Sequence, residues 1–223
     1  MKTELIFIVQ SLVVASSALI ALRAGSYALV TFISITMVLA NICVNKIISL
    51  GGYTATGADS FIIGGICAGH LLQEYYGQES AKRALYISFY MMIFVLTCTQ
   101  LQIYLPAHPL DQAHIHMSAL FQSIPRITAA SLISYLIVQR FDITLYAYIK
   151  RTYLLWPLAI RNFLCAAISQ ALDTILFSIL GLYGNVPYIM HIIFVSYILK
   201  LLGLMICSPA VMVSRYFVST TRH

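Results

Sequence analysis

The chain has 223 residues, of which 61% are hydrophobic and 9% charged, with a formal net charge of +6. That composition, with a mean hydropathy of +0.89, excludes an ordinary soluble domain. The basic residues are scattered rather than gathered into a groove-tracking patch, which excludes nucleic acid as a partner.

Repeated apolar runs of spanning length predict an all-α polytopic membrane protein with six to seven transmembrane helices, in which residues 1–223 form one integral domain within a lipid bilayer. Seven apolar segments follow in order, at 4–22, 27–48, 58–75, 84–105, 119–139, 156–183 and 187–212. The first reads as a retained span, because Lys2 and Glu4 give no positive leader and no small-residue cleavage site precedes Arg23. Between the second and third, GGYTATG (51–57) is too rich in Gly and Thr for a regular helix. It reads as a loop or an unwound stretch at membrane depth. The aromatic and basic stretch 141–156 reads as an interfacial helix or loop.

Lys and Arg in short loops orient the bundle. Lys82 and Arg83 lie between segments three and four, Arg140, Lys150 and Arg151 between five and six, and Arg215 and Arg222 after seven. Residues 106–118 and 184–186 contain neither. The C-terminus is therefore expected in the cytoplasm and the N-terminus outside. The five cysteines sit singly in apolar runs and read as small buried hydrophobes.

Segment 156–183 is the centre of the pattern. Pro157 suits its first turn and Gly184 the residue past its end. At 3.6 residues per turn, Asn162, Ala166, Ser169, Asp173 and Phe177 share a face, with Gln170 at its edge. A carboxylate near the bilayer centre costs about 2.5–3.5 kcal/mol on insertion scales, so Asp173 should face protein, water or a ligand. Helical rise puts Asp173 about 15 Å and Lys200 about 20 Å from the exterior side, where the two can pair. Arg126 follows Pro125 near the exterior end of segment five, and either joins a site or satisfies carbonyls freed by the proline. Asn41 and Lys46 fall in the exterior half of segment two. His70 and Glu74 lie one turn apart near the cytoplasmic end of segment three.

Bland readings exist for each. Lys46 and Arg161 reach an interface by snorkelling, Glu74 lies near Lys82 and Arg83, and His70 is a hydrogen-bonded core histidine. Together, several ionisable groups on different segments imply a polar cavity near the midplane. In the loop 106–117, His108, Asp111, His114 and His116 match no closed zinc spacing, and Asp111 reads as a cap for the next helix. No nucleophile or metalloprotease motif is present, and Asp173 and Glu74 lie at different depths. The sequence predicts no enzyme, no catalytic residue, no metal and no cofactor.

One resemblance ties these pieces together. RNFLCAAISQALDTILF (161–177) resembles the pattern R-N-x-L, then S-Q-x-x-D-[ST]-x-x-F, of the queuosine precursor transporter family. LANICVNK (39–46), YTAT (53–56), EYYG with the AKRA that follows (74–84), PRI (125–127) and YILK (197–200) match with similar spacing. The family is similar in outline to vitamin-uptake substrate-binding subunits. The resemblance implies import of a 7-deazaguanine (preQ0, preQ1, queuine or queuosine) across a bacterial inner membrane, for tRNA modification. By residue type and estimated depth, Asp173 or Glu74 would accept from the N–H and amino group of such a ligand. Gln170, Asn162, Asn41 and Arg126 would read its carbonyl edge, Phe177 or Phe163 would stack on the ring, and Lys200 and His70 would complete the set.

Two departures stand out. Gly69-His70 replaces a frequent Thr-Asp, and Cys207-Ser208-Pro209 replaces Asp-Thr-Pro. Two acids are lost, and the small Gly69 and Cys207 leave room that favours the larger queuine. The alternatives are a substrate-binding subunit with an ATP-driven partner and a membrane scaffold. Gly64, Gly65 and Gly69 permit close helix packing within the chain or in a homodimer.

Overall fold

The computed structural model describes residues 2–219 except 45, 52, 122–124 and 183–188. Within its helices and strands it gives backbone alone for 2, 54, 55, 125–127, 182, 189, 191, 192, 210 and 216–219. The long helices are α1 (Lys2–Ala24), α2 (Ser26–Cys43), α3 (Asp59–Tyr76), α4 (Gln78–Tyr104), α6 (Pro125–Thr152), α7 (Leu158–Phe177) and α8 (Ile189–Ser219). A short α5 (Ala113–Phe121) precedes α6, and a π-helical turn, Ser178–Leu182, extends α7. The architecture is that of an all-α polytopic membrane protein.

Five helical stretches are long and apolar enough to cross a bilayer: Thr3–Ala24, Ser26–Cys43, Gln78–Tyr104, Leu158–Gly181 and Ile193–Arg215. The other long helices, α3 and α6, carry more polar residues. At about 1.5 Å per residue they are still roughly 27 Å and 42 Å long. Helix α3 lies against α1, α2, α4 and α8, with most of its side chains buried.

Glycines make the tight turns and the close approaches. Gly25 (φ 110°) and Gly77 (φ 87°) take left-handed conformations between α1 and α2 and between α3 and α4. On α3, a Cβ at Gly64 would collide with Val14 of α1, and one at Gly65 with Met37 of α2. A Cβ at Gly203 of α8 would collide with Ile63 of α3. In a membrane, where apolar burial gives little drive for helix association, such small residues let backbones approach. Gly64 and Gly65 therefore serve packing within the chain.

Three boundaries depart from the sequence reading. Segment two stops at Cys43, because β-branched Ile47 and Ile48 enter a strand, β1 (Ile47–Leu50), paired antiparallel with β2 (Tyr53–Thr56). The stretch 51–57 is thus largely hairpin, and Lys46 precedes β1 instead of riding on α2. Leu50 packs with Phe7 and Leu199, and Glu4 accepts the Gly51 N–H at 3.1 Å, which pins the hairpin to the start of α1. Second, α4 begins at Gln78, so Lys82 and Arg83 lie in its first turns. Third, 141–156 is no separate interfacial element. Helix α6 runs on to Thr152, with Asp142, Ile143, Tyr146 and Ile149 buried at helical spacing. Pro157 precedes α7, its carbonyl accepting from Ile160 and Arg161, and Gly184 lies outside the described residues.

Candidate functional site

Helices α3 and α7 run antiparallel past each other, with α6 and α8 alongside, and polar side chains from them meet in three successive layers. The first lies where α3 ends and α7 begins. Arg161 Nη2 donates to Glu74 Oε1 at 3.0 Å, and Tyr146 Oη donates to Glu74 Oε2 at 3.1 Å. Lys150 Nζ stands 3.3 Å from Glu74 Oε2 and donates to the Glu74 carbonyl at 2.8 Å. The single carboxylate thus faces two cations and a hydroxyl, with Arg161 only 2% exposed.

One turn deeper, His70 Nε2 lies 2.8 Å from Asp142 Oδ2 and Nδ1 lies 2.7 Å from Asn162 Oδ1. Cys165 Sγ donates to Asp142 Oδ1 at 3.3 Å, and Asn162 Nδ2 donates to Cys67 Sγ at 3.7 Å. The His70 ring stacks on Tyr146, with centroids 4.4 Å apart, which joins this layer to the first. His70, Asp142 and Asn162 are all buried. Such groups survive away from water only when hydrogen-bonded.

The third layer lies about 18 Å further along α7, by helical rise from Arg161 to Asp173. Lys200 Nζ donates to Asp173 Oδ2 at 2.7 Å and to Thr174 Oγ1 at 3.3 Å. Asp59, at the start of α3, lies within electrostatic range of both charges and accepts from Thr56 of the hairpin.

His70, Asp142 and Cys165 present metal-ligand atoms within 4.8 Å of one another. Both Asp142 oxygens already take a hydrogen bond from the other two, so mutual bonding satisfies the trio. In the loop before α5, Asp111 Oδ1 accepts the N–H groups of Ala113 and His114 at 2.7 and 3.3 Å, the expected cap. Among the described residues, the loop histidines join no group of metal-ligand geometry.

The structure joins Asp173 to Lys200, and His70 to Asn162. Glu74 lies one layer away. It pairs with Arg161 and Lys150 rather than lying beside Lys82, which binds Glu79 at 2.7 Å. Arg161 is consequently a buried partner of α3 and not a snorkelling cation. Gln170 is buried on α7, and its Oε1 has no hydrogen-bond partner. Phe177 ends α7, close to Gly181 of the π-helical turn. Asn41 stands apart, in a groove shared with α4 and α5 residues such as Thr99 and Phe121. Arg126 falls in the first turn of α6, and its side chain lies outside the described residues.

Sequence reasoning missed Asp142, Tyr146, Cys165 and Lys150 as partners of this network. The signal was present: Asp142, Tyr146 and Lys150 recur every four residues, one stripe of a helix.

Residues 59–214, which hold all three layers, match a family described as "Putative vitamin uptake transporter". Over 191 residues the chain is 27% identical to the "Probable queuosine precursor transporter" of Bacillus subtilis (strain 168), covering 83% of this chain and 82% of that one. No solved structure matches the chain. With its apolar helices and buried polar layers, the chain belongs to the vitamin uptake transporter family, a multi-pass membrane protein that transports a small molecule and is not an enzyme.

Proposed function

We propose that the protein imports a queuosine precursor, a 7-deazaguanine base or nucleoside, for tRNA modification. The observation that carries the reading is the buried His70–Asn162–Asp142 layer, flanked at each end by an ion-paired layer. A deazaguanine offers an N–H and an amino group beside a carbonyl, and this layer holds both carboxylate and amide groups. The name of the Bacillus subtilis relative supports the ligand class. Open space beside Gly69 agrees with the larger queuine.

The flanking layers suit alternating access. Glu74 links α3, α6 and α7 at one end, and the Lys200–Asp173 pair links α8 to α7 at the other. Opening one pair while the other stays closed would expose the middle to each side in turn. In the paired state Asp173 Oδ2 is engaged by Lys200, so a ligand at that oxygen competes with the pair. Lys82, Arg83, Lys150, Arg151, Arg161 and Arg215 gather where α3 ends and α4 begins. By the positive-inside rule this supports a cytoplasmic location for that end and for the C-terminus, in a bacterial inner membrane. Residues 1–223 then act as one transport unit.

The test is calorimetry or thermal shift of the purified protein with preQ0, preQ1, queuine, queuosine and guanine. Selective stabilisation by a deazaguanine, with uptake of the same compound in cells, supports the reading. Folded protein that responds to none of them overturns it.

A further inference from the structure

His70 is 1% exposed, and both its ring nitrogens face oxygen: Nε2 lies 2.8 Å from Asp142 Oδ2 and Nδ1 lies 2.7 Å from Asn162 Oδ1. A neutral imidazole has one N–H and one bare nitrogen, so it can donate to only one of these oxygens. An imidazolium donates to both. The Asn162 amide turns its oxygen to His70 while its Nδ2 donates to Cys67 Sγ at 3.7 Å. Turned over, the same amide would donate from Nδ2 to a bare Nδ1 and suit a neutral ring. The charges around the pair decide between the two.

Two features favour the charged ring. Asp142 is 2% exposed, and among the described residues the cation that reaches it is His70. Arg161 and Lys150 are bound to Glu74, and Lys200 to Asp173. Beside a neutral ring, the Asp142 carboxylate would be a buried charge without a counter-charge, which is costly. Second, the Tyr146 ring stacks on the His70 ring, with centroids 4.4 Å apart and planes at 18°, and an aromatic face attracts a cation at that range. The remaining ionisable groups nearby are Cys67 and Glu74 of α3, Arg161 and Cys165 of α7, and Cys207 of α8, which lies beside Cys67. Among the described residues, the buried side chains of α1, α2 and α4 include no ionisable group. Glu74, Arg161 and Lys150 together carry one excess positive charge, which opposes a second cation. The Lys150 side chain is 32% exposed, however, so water screens that charge.

We propose that His70 is a proton-binding site on which the transport cycle turns. In the closed bundle it is an imidazolium that donates to Asp142 and Asn162. When the layer opens, water reaches the ring, the Nδ1–H bond breaks with its electron pair staying on the nitrogen, and the proton passes to water. A histidine in water is mostly neutral at neutral pH, and hydration then supports the ionised Asp142 in place of His70. Closing reverses the step. A neutral ring returning to the layer would leave Asp142 without a counter-charge, so each closure takes up a proton from the side the layer faced. This assignment rests on alternating access in the transport reading, and not on the identity of the ligand.

The experiment begins with nitrogen-15 NMR of the purified full chain, labelled at histidine. Replacing His108, His114, His116, His191 and His223 with Gln leaves His70 as the one histidine, and subtracting a His70→Gln spectrum assigns the same signal independently. Both ring nitrogens should carry protons at neutral pH, and a ring protonated on one nitrogen overturns the site. In Asp142→Asn the ring should lose its second proton, and an imidazolium that persists there overturns the pairing. The second measurement is initial uptake of preQ1 into vesicles held at equal pH on both sides, between about pH 6 and 8. The amine of preQ1 keeps its charge over that range, so the ligand does not titrate. Opening sheds a proton, so uptake by the unaltered protein should rise roughly threefold or more with pH, while the profile of His70→Gln stays flat. A flat profile in the unaltered protein, or a rise that His70→Gln shares, overturns the role in transport. Absence of preQ1 uptake by the unaltered protein overturns the queuosine-precursor reading, and the NMR signal still decides the proton site.

Discussion

Lys200 and Asp173 form an ion pair that is largely, but not wholly, buried. Asp173→Asn removes the counter-charge 2.7 Å from Lys200 Nζ and leaves Thr174 Oγ1 at 3.3 Å as its remaining close partner. Breaking a buried pair from one side costs about 3–5 kcal/mol, because the other charge is stranded. Here the cost should sit near the low end. The Asp173 side chain is 21% exposed, and Asp59 still offers Lys200 some compensation. Lys200→Met should cost at least as much, since it leaves Asp59 and Asp173 to repel each other. The double variant Asp173→Asn with Lys200→Met removes both charges, and well-packed neutral replacements of a buried pair are often neutral or stabilising. Thermal unfolding in detergent of the four proteins therefore gives two low midpoints and a recovered one. Uptake by the same four separates packing from transport: a double variant that is stable but does not transport places the pair in the transport cycle. A double variant whose loss equals the sum of the single losses would refute the reasoning, because the two charges would then not form an energetic unit.

Further outcomes follow from the other layers and from the packing. Glu74→Gln strands Lys150 and Arg161 and should lower the midpoint far more than Glu79→Gln, whose pair with Lys82 is exposed and screened by water; thermal unfolding compares the two. Gly64→Ala forces a Cβ against Val14 and should cost about 1–3 kcal/mol, recovered in part by adding Val14→Ala. Asn41→Leu should leave ligand affinity within twofold of normal by calorimetry, since Asn41 faces the α4–α5 groove and not the polar layers.

Apolar run length made the bundle legible, and helical rise alone predicted that Asp173 and Lys200 meet. His70 and Asn162 were singled out as intramembrane polar groups, and they touch. Their shared partner, Asp142, stayed hidden because its neighbours Tyr146, Tyr148, Lys150 and Arg151 are the residue types of an interface. Read at 3.6-residue spacing, buried Asp142 and Tyr146 and half-buried Lys150 form one inward stripe, while Tyr148 and Arg151 point outward. Composition described the segment, and only periodicity separated its two faces. The hairpin was missed for a different reason: a four-residue strand pair depends on packing of Leu50 against Phe7 and Leu199, which no local pattern reveals. Asn41 matched a family motif in sequence, but its position on α2 turns it toward α4 and α5.

The chemistry of the layers also narrows where a ligand can be read. The Glu74 carboxylate faces Arg161, Lys150 and Tyr146, and Asp173 Oδ2 is held by Lys200. A ligand that takes the Glu74 carboxylate or Asp173 Oδ2 competes there with a charged partner. The middle layer differs. Asp142 is engaged by His70 and Cys165, and the nearby Gln73 Oε1 has no hydrogen-bond partner. The two kinds of polar group thus differ in what holds them: ion pairs in the end layers, and neutral or mixed hydrogen bonds around His70 in the middle. Helices α3 and α6 contribute to both the middle layer and the Glu74 layer, and the Lys200–Asp173 pair lies apart from both. Affinity should consequently survive Asp173→Asn with Lys200→Met even where uptake does not.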